Sequence, residues 1–143
     1  MTYLLDTNAV IALLRNRPLA VRDRLRRAIA AGDTIAVPTI VLFELWYGVA
    51  RSARRIENTE RLRVFLSGAI AIVPFGDEHA TTAGDLRAEL EAAGTPIGAY
   101  DLLIAAQALR TGATLVTANV TEFARVRGLQ WEDWTMPLPH GAS

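Results

Sequence analysis

The chain has 143 residues, of which 51% are hydrophobic and none is cysteine, so it is long enough for one folded domain and carries neither a disulfide framework nor a cysteine-ligated metal site. Its longest apolar stretch, residues 35–50, is too short and too interrupted to cross a bilayer, and an acid at position 6 leaves no apolar core for a signal peptide. The formal net charge is zero, which gives no overall attraction to a polyanion, and together these features predict a cytoplasmic protein without a membrane partner.

Short apolar segments alternate with longer amphipathic ones, and turn residues separate them. Four to five short strands are predicted, at Thr2–Leu5, 35–37, 69–73 and 114–117, the fifth being 129–131. Helices are predicted at 8–14, 18–31, Thr39–Arg51, 54–66, 77–93, 98–110 and 119–124. Strands that alternate with helices in this way indicate an α/β fold around a mainly parallel sheet.

Some of the predicted helices carry more specific expectations. Pro18 suits the first position of the second helix, and Thr39 suits the cap of the third. The apolar stripe expected of the fourth helix consists of Ile56, Leu62, Phe65 and Leu66. The two histidines, His79 and His140, fall outside every segment of interest and are expected to be ordinary surface residues.

Four polar residues stand in apolar settings, and three of them have a simple structural explanation. Asp6, after the first strand, could cap the helix that follows, and Asn119 with Glu122 three residues later matches a capping box. Asp101 would lie in the first turn of a helix capped by Gly98, where a carboxylate interacts well with the helix dipole. Taken singly, these three positions favour capping over catalysis.

Glu44 has no such explanation, because it lies more than a turn inside its helix with apolar residues on both sides. Gly48 leaves open space one turn further on. An isolated buried carboxylate is costly unless a cation accompanies it, and the chain contains no lysine to supply one. A metal ion is the favoured explanation, while an arginine partner or a helix register that places Glu44 in water remains open.

The carboxyl ends of parallel strands meet at one edge of a sheet, which predicts that Asp6, Asn119 and the start of the Asp101 helix lie together. Clustered carboxylates repel one another and persist best around a divalent ion. A set of oxygen ligands without histidine or cysteine selects Mg²⁺ or Mn²⁺ rather than Zn²⁺.

An ordered series of segments carries a family resemblance over nearly the whole chain: LLDTNAVI, FELWYG, RAELEAAGTPIGAYDLLIAAQA and LVTANVTEFARVRGLQWEDW. Together they resemble the PIN-domain ribonucleases, and within them the VapC toxins of bacterial toxin–antitoxin pairs. The resemblance implies a PIN-like three-layer fold, with a central mainly parallel sheet flanked by helices. It also implies a single PIN domain over residues 1–134, followed by a flexible C-terminal tail over 135–143.

The family's site residues carry over position by position. Its acidic centre, which holds Mg²⁺ or Mn²⁺, falls on Asp6, Glu44 and Asp101, and its fourth catalytic position falls on Asn119. Asparagine departs from the all-acid pattern and lowers the negative charge of the site. The resemblance further gives supporting or substrate-orienting roles to Thr7, Asn8 and Thr117.

The activity implied is metal-dependent hydrolysis of RNA phosphodiester bonds, in tRNA or rRNA, which leaves 5′-phosphate and 3′-hydroxyl ends. Family members form homodimers, and higher hetero-oligomers with a small cognate antitoxin that inhibits them. That antitoxin lays a peptide on the apolar surface, for which Phe43, Trp46 and Tyr47 are candidates, although we expect core packing for at least two of these. Trp131 and Trp134 are expected to serve packing alone.

Charge suggests where RNA would approach. Residues 1–63 hold 11 arginines and 6 acids, whereas residues 64–143 hold 4 and 9. Six arginines of the first half could line the approach, namely Arg15, Arg17, Arg22, Arg24, Arg26 and Arg27. A solvated helix face, or a genomic bias in base composition, explains them equally well.

Rival functions fit these residues less well. The segment DTN faintly resembles the haloacid-dehalogenase phosphatases, but these need a second Asp where Asn8 stands, and they and receiver domains need a lysine. A PIN-related nuclease that acts on structured DNA would need additional structural elements, for which this chain is too short. A PIN-like module that only binds RNA or a partner is the remaining alternative, and the intact acids argue against it.

Overall fold

The computed structural model describes residues 1–138 and contains a sheet in which every neighbouring pair of strands is parallel. The strand order is β3-β2-β1-β4-β5. The strands are β1 (Thr2–Leu5), β2 (Thr34–Pro38), β3 (Ala71–Val73), β4 (Thr114–Val116) and β5 (Trp131–Glu132). The α/β fold and the parallel sheet of short strands are confirmed.

The helices that the structure describes begin and end close to the predicted positions. They are α1 (Thr7–Arg15), α2 (Leu19–Ala30), α3 (Thr39–Arg51), α4 (Arg55–Leu66), α5 (Asp77–Ala92), α6 (Ala99–Thr111) and α7 (Val120–Phe123). Pro18 is the N-cap rather than the first residue of α2, and the expected Thr39 cap is wrong. Thr39 is already helical, because Pro38 is both the last residue of β2 and the N-cap of α3.

Strand β1 lies at the centre of the sheet and determines where the polar residues emerge. It pairs with β2 on one side and with β4 on the other, with Leu5 opposite Val116. These strands are nearly continuous apolar runs because helices cover both faces of a parallel sheet. The register brings Asp6 and Thr117 out of the sheet side by side, and the Asp6 amide donates to the Val116 carbonyl at 3.1 Å.

Helix α4 packs on the core through a narrower face than the predicted stripe. Leu62 is fully buried, and Phe65 and Leu66 pack against the core, whereas Ile56 is 89% exposed, so its assignment to the stripe is wrong. At 3.6 residues per turn, Ile56 lies about 120° around the helix from Leu62 and therefore faces solvent.

His79 is buried, so the prediction of a surface histidine is wrong at this position. Its Nδ1 accepts a hydrogen bond from the Gly76 amide at 2.8 Å, and its ring lies 5.6 Å from that of Phe75. The imidazole thus satisfies a free amide at the start of α5, as the third residue of a capping box does. His140 lies outside the described residues.

The segment after β4 closes over the sheet. Trp134 is buried edge-on against Tyr3 with ring centroids 5.1 Å apart, and Trp131 packs on the core, which confirms the packing expected of both. Arg24 of α2 donates to the carbonyls of Asp133 and Met136. Residues 139–143 lie outside the described range, and the flexibility expected of 135–143 stays a prediction.

Within residues 1–138, the structure contains no helix that is both long and apolar enough to cross a membrane.

The two faces of α4 can be tested by truncating one residue on each. We expect Leu62→Ala to lower the free energy of unfolding by about 2–5 kcal/mol, because it leaves a cavity in the core. Ile56→Ala, the matched control, should change it by less than about 0.5 kcal/mol. Urea unfolding followed by circular dichroism measures both, and equal costs would contradict the orientation described.

Candidate active site

Asp6 lies between β1 and α1 and is both a helix cap and a buried acid. Its Oδ1 accepts the Ala9 amide at 2.8 Å, and its side chain is almost fully enclosed. Burial raises the pKa of Asp6, an effect opposed by the Thr117 hydroxyl and the Ala9 amide and increased by the charge of Glu44. The capping explanation is therefore correct for the position of Asp6, but it does not use up the acceptor sites of the carboxylate.

Glu44 points from α3 towards the start of α1. Its Oε1 accepts a hydrogen bond from the Thr7 hydroxyl at 2.7 Å, and its side chain is partly buried. No arginine of the described residues forms an ion pair with it. A Cβ built on Gly48 would meet no atom within 4 Å, so the space expected beside Glu44 is present.

Asp101 stands in the first turn of α6, with Gly98 as the N-cap. Burial is the largest cause that raises the pKa of Asp101 to about 7, followed by the charge of Glu122. The charges of Asp6 and Glu44 raise it further. The carboxylates from three different parts of the chain therefore act on one another electrostatically at this edge of the sheet.

Asn119 lies next to Asp101, but the capping box predicted for it does not form. Its side chain makes no cap bond to α7; instead its amide nitrogen donates to Glu122 at 2.8 Å and approaches Asp101 Oδ2 at 3.4 Å. Its backbone amide donates to the Thr117 hydroxyl at 2.9 Å. The two N–H donors of the Asn119 side chain are turned towards two carboxylates, and its oxygen accepts no backbone amide of α7.

Glu122 is the site residue that the sequence analysis misses. One of its oxygens accepts from Asn119 and the other from the Gly98 amide, so it joins α7 to the first turn of α6. The Gly98 amide is the main cause that lowers the pKa of Glu122. The three-residue spacing from Asn119 to Glu122 indicates that the two side chains can interact, but considered within one turn of helix it predicts only a capping box.

The remaining predicted positions differ in how they join this cluster. Thr7 contacts Glu44, and Thr117 contacts the Asn119 amide. Asn8 is exposed at the start of α1, and its side chain makes no hydrogen bond within the described residues.

The donor set fits a hard divalent cation, although the carboxylates are not closed around a point. The carboxylates offer oxygen ligands, and a bound cation would offset the burial and the neighbouring negative charges that raise the pKa of Asp101. Within residues 1–138, no three His, Asp or Glu side chains converge tightly enough to form a ready-made metal site. A bound cation would therefore draw the carboxylates closer together, because they do not form a complete coordination site beforehand.

Two exposed aromatic side chains stand beside the acids. Phe43 and Tyr47 are 53% and 55% exposed, and only Trp46 of this group packs against the core, so the packing expected for at least two of the three is wrong. Phe43 meets Tyr100 edge-on with ring centroids 5.6 Å apart, and Arg51 lies over the ring of Tyr47. Helix α3 thus presents an aromatic strip to its surroundings.

Comparison with known proteins places this arrangement in a family. The PIN domain model matches residues 3–129. Ribonuclease VapC2 of Rickettsia felis is 41% identical over 134 residues, which cover 94% of this chain and 98% of that protein. The tRNA(fMet)-specific endonuclease VapC of Shigella flexneri is 36% identical over 135 residues, covering 94% and 99%.

A solved structure has the same fold. VapBC2 from Rickettsia felis, bound to a DNA fragment from their promoter, contains a chain that superposes with a TM-score of 0.88 at 40% identity, covering 94% of this chain and 99% of that one. A family model that spans most of the chain and relatives that match from end to end lead to the same conclusion. The chain belongs to the PIN-domain family, among the VapC ribonuclease toxins of toxin–antitoxin systems.

Proposed function

We propose that this protein is a Mg²⁺- or Mn²⁺-dependent endoribonuclease that hydrolyses RNA to 5′-phosphate and 3′-hydroxyl ends and is inhibited by a cognate antitoxin. The observation that carries the proposal is that buried Asp6 and part-buried Glu44 and Asp101 lie at one edge of the sheet with no arginine of residues 1–138 paired to them. The name of the relative from Shigella flexneri includes tRNA(fMet), so a tRNA is the first substrate to test.

In this proposal Asp6, Glu44 and Asp101 hold the ion, and the fourth catalytic position is Asn119. When bound, the ion supplies a water of lowered pKa and stabilises charge on the phosphate. Thr7 fixes the rotamer of Glu44 through its hydrogen bond, and Glu122 holds the Asn119 amide beside Asp101. Asn8 would orient the substrate, since it is exposed two residues after Asp6 in the chain.

The partners proposed are an RNA substrate, a small antitoxin and a second copy of the chain, with higher hetero-oligomers once the antitoxin binds. The solved VapBC2 complex supports an antitoxin. The exposed aromatic side chains Phe43, Tyr47 and Tyr100 support a protein interface on α3 and the start of α6, since large contiguous apolar patches mark such surfaces. A PIN-like module that binds RNA or a partner without cleaving it is the alternative.

Cleavage in vitro tests the enzyme. We expect the purified protein to cut tRNA with Mg²⁺ or Mn²⁺, and Asp6→Asn or Asp101→Asn to slow cleavage by about 100-fold or more, because each removes a negative charge from the ion-binding cluster. Gel analysis of labelled tRNA measures this. The control is Asp85→Asn, an exposed acid of α5, which should cut normally. Activity that survives EDTA would exclude the metal mechanism.

The electrostatics of the site give a second test that needs no activity. The raised pKa of Asp101, about 7 against an ordinary value of 3.8, means that folding of the metal-free protein favours the protonated acid. This contribution to stability is complete below about pH 4 and is lost as the pH rises through about 7. In EDTA, Asp101→Asn should therefore raise the melting temperature at pH 8 and leave it nearly unchanged at pH 4.

Adding Mg²⁺ at pH 8 should raise the melting temperature of the unmodified protein, because the ion replaces the missing proton, and should do so less in Asp101→Asn. Asp85→Asn serves again as the control and should match the unmodified protein at both pH values. A change of melting temperature that is the same at pH 4 and pH 8 would contradict the charge repulsion described.

Expression in a bacterial host tests the toxin role. We expect growth arrest when the protein is expressed alone, because RNA cleavage would stop translation, and recovery when the small protein encoded beside it is co-expressed. Growth curves measure both, with Asp6→Asn as the non-toxic control. Normal growth at full expression of folded protein would favour the binding module instead.

A further inference from the structure

A strongly basic cleft lies between the end of α1, the turn into α2, and α4. It has a volume of about 840 Å³. Its charged lining consists of four arginines and one acid, namely Arg15, Arg17, Arg22, Arg61 and Glu60. Leucine, valine and phenylalanine side chains complete the wall. In a chain of zero net charge, this is a local excess of three positive charges.

The structure separates the arginines that are already engaged from those with free donors. Arg22 is held by the Asn16 side chain and the Leu13 carbonyl. Outside the cleft, Arg24 is bonded to Glu132 and the chain after it, and Arg27 is paired with Asp23. The N–H donors of these three arginines bind other groups of the protein. A structural role, or exposure on a solvated helix face, therefore explains their presence.

Inside the cleft the situation is different. Neither Arg15 nor Arg17 has an ion-pair partner among residues 1–138, and Arg61 has only the exposed Glu57 on its own helix. Exposed pairs of this kind contribute little and exchange readily. The lining of the cleft therefore holds three guanidinium groups that are available to an anion.

The cleft shares lining residues with a groove that reaches one acid of the candidate active site, Glu44. Arg15 and Arg61 also line a neighbouring groove of about 250 Å³, which contains Glu44 and the open space beside Gly48. A polyanion bound along these arginines would reach Glu44 without passing Asp6 or Asp101, which do not line this groove. The acidic centre itself repels such a chain, so attraction has to come from its flank.

We propose that Arg15, Arg17 and Arg61 bind consecutive backbone phosphates of the RNA and hold the strand on the Glu44 side of the active site. The inference rests on the proposed RNA cleavage and adds the path by which the strand enters. Guanidinium groups suit phosphates because their planar fork donates two hydrogen bonds at once. Contacts of this kind supply affinity and position rather than sequence selection.

The test measures RNA binding apart from cleavage. A fluorescently labelled single-stranded RNA of 20 nucleotides is titrated with the Asp101→Asn protein at several salt concentrations. Replacing Arg15, Arg17 and Arg61 by Gln in that background should weaken binding about tenfold or more at ~0.1 M salt. The slope of log affinity against log salt should fall by about 0.7 for each lost phosphate contact.

Two matched controls remove a charge elsewhere. Arg26→Gln lies exposed on α2 outside the cleft, and Arg110→Gln lies at the far end of α6 from Asp101. Both should keep the original affinity and slope, and all variants should keep their melting temperature. If the triple variant matches these controls in affinity and slope, the path is wrong.

The two proposals can fail separately. If the unmodified protein cuts RNA while the triple variant in the active background cuts and binds normally, only the entry path is refuted. If the unmodified protein binds RNA with arginine-dependent salt sensitivity and never cuts it, the path stands and the nuclease proposal fails. A triple variant that loses the antitoxin in a pull-down but keeps RNA affinity would show that the cleft serves a protein partner, which also refutes the path.

Discussion

The burial of carboxylates at one edge of the sheet, within reach of one another's charge, is the constraint around which the candidate site is organised. Parallel pairing of β1 with β2 and β4 brings Asp6, Glu44 and Asp101 into each other's electrostatic field, and no arginine of the described residues pairs with them. The fold therefore holds an arrangement that is unfavourable without a proton or a cation. Stability given up at one place in this way is common at functional sites.

The surroundings of the acids show how the fold tolerates this arrangement. Hydrogen-bond donors without charge face several of the carboxylates. The Ala9 backbone amide donates to Asp6, the Thr7 hydroxyl to Glu44, and the Gly98 backbone and Asn119 side-chain amides to Glu122. These donors orient the acids but add no positive charge. Arg15 and Arg61 line the same groove as Glu44 but form no ion pair with it, so they do not neutralise this acid.

Much of the fold could be predicted because β1, β2 and β4 are short, nearly continuous apolar segments. Such segments, alternating with helices, are typical of a parallel sheet that is covered on both faces. Glu44 could be identified from the sequence because no neighbouring residue in the chain explains a carboxylate inside an apolar helix. What the sequence could not give was the direction of individual helix faces. The expectations for Ile56, for His79 and for core packing by two of the three aromatic residues of α3 rest on neighbours in the chain, whereas exposure depends on which element packs against each residue.

Glu122 shows the same limit within the site. Its partner Gly98 is 24 residues away in sequence, so a pattern confined to one turn of helix could identify only the bond to Asn119. The catalytic roles of Asp6, Glu44, Asp101 and Asn119 stay predictions, although the structure brings these residues into one neighbourhood. Proximity in space followed from the order of strands, while the detailed bonding followed from contacts that only the folded chain forms.

The short strand β5 has a consequence for the handling of the protein. It covers the outer edge of β4 through the bonds from Leu115 and Thr117 to the chain at Gln130 and Glu132, and Arg24 fastens the segment that follows. A chain cut before Trp131 would leave β4 as a bare apolar edge, which is a template for intermolecular pairing. Loss of residues 131–143 would therefore show as aggregation during expression rather than as a defect in chemistry.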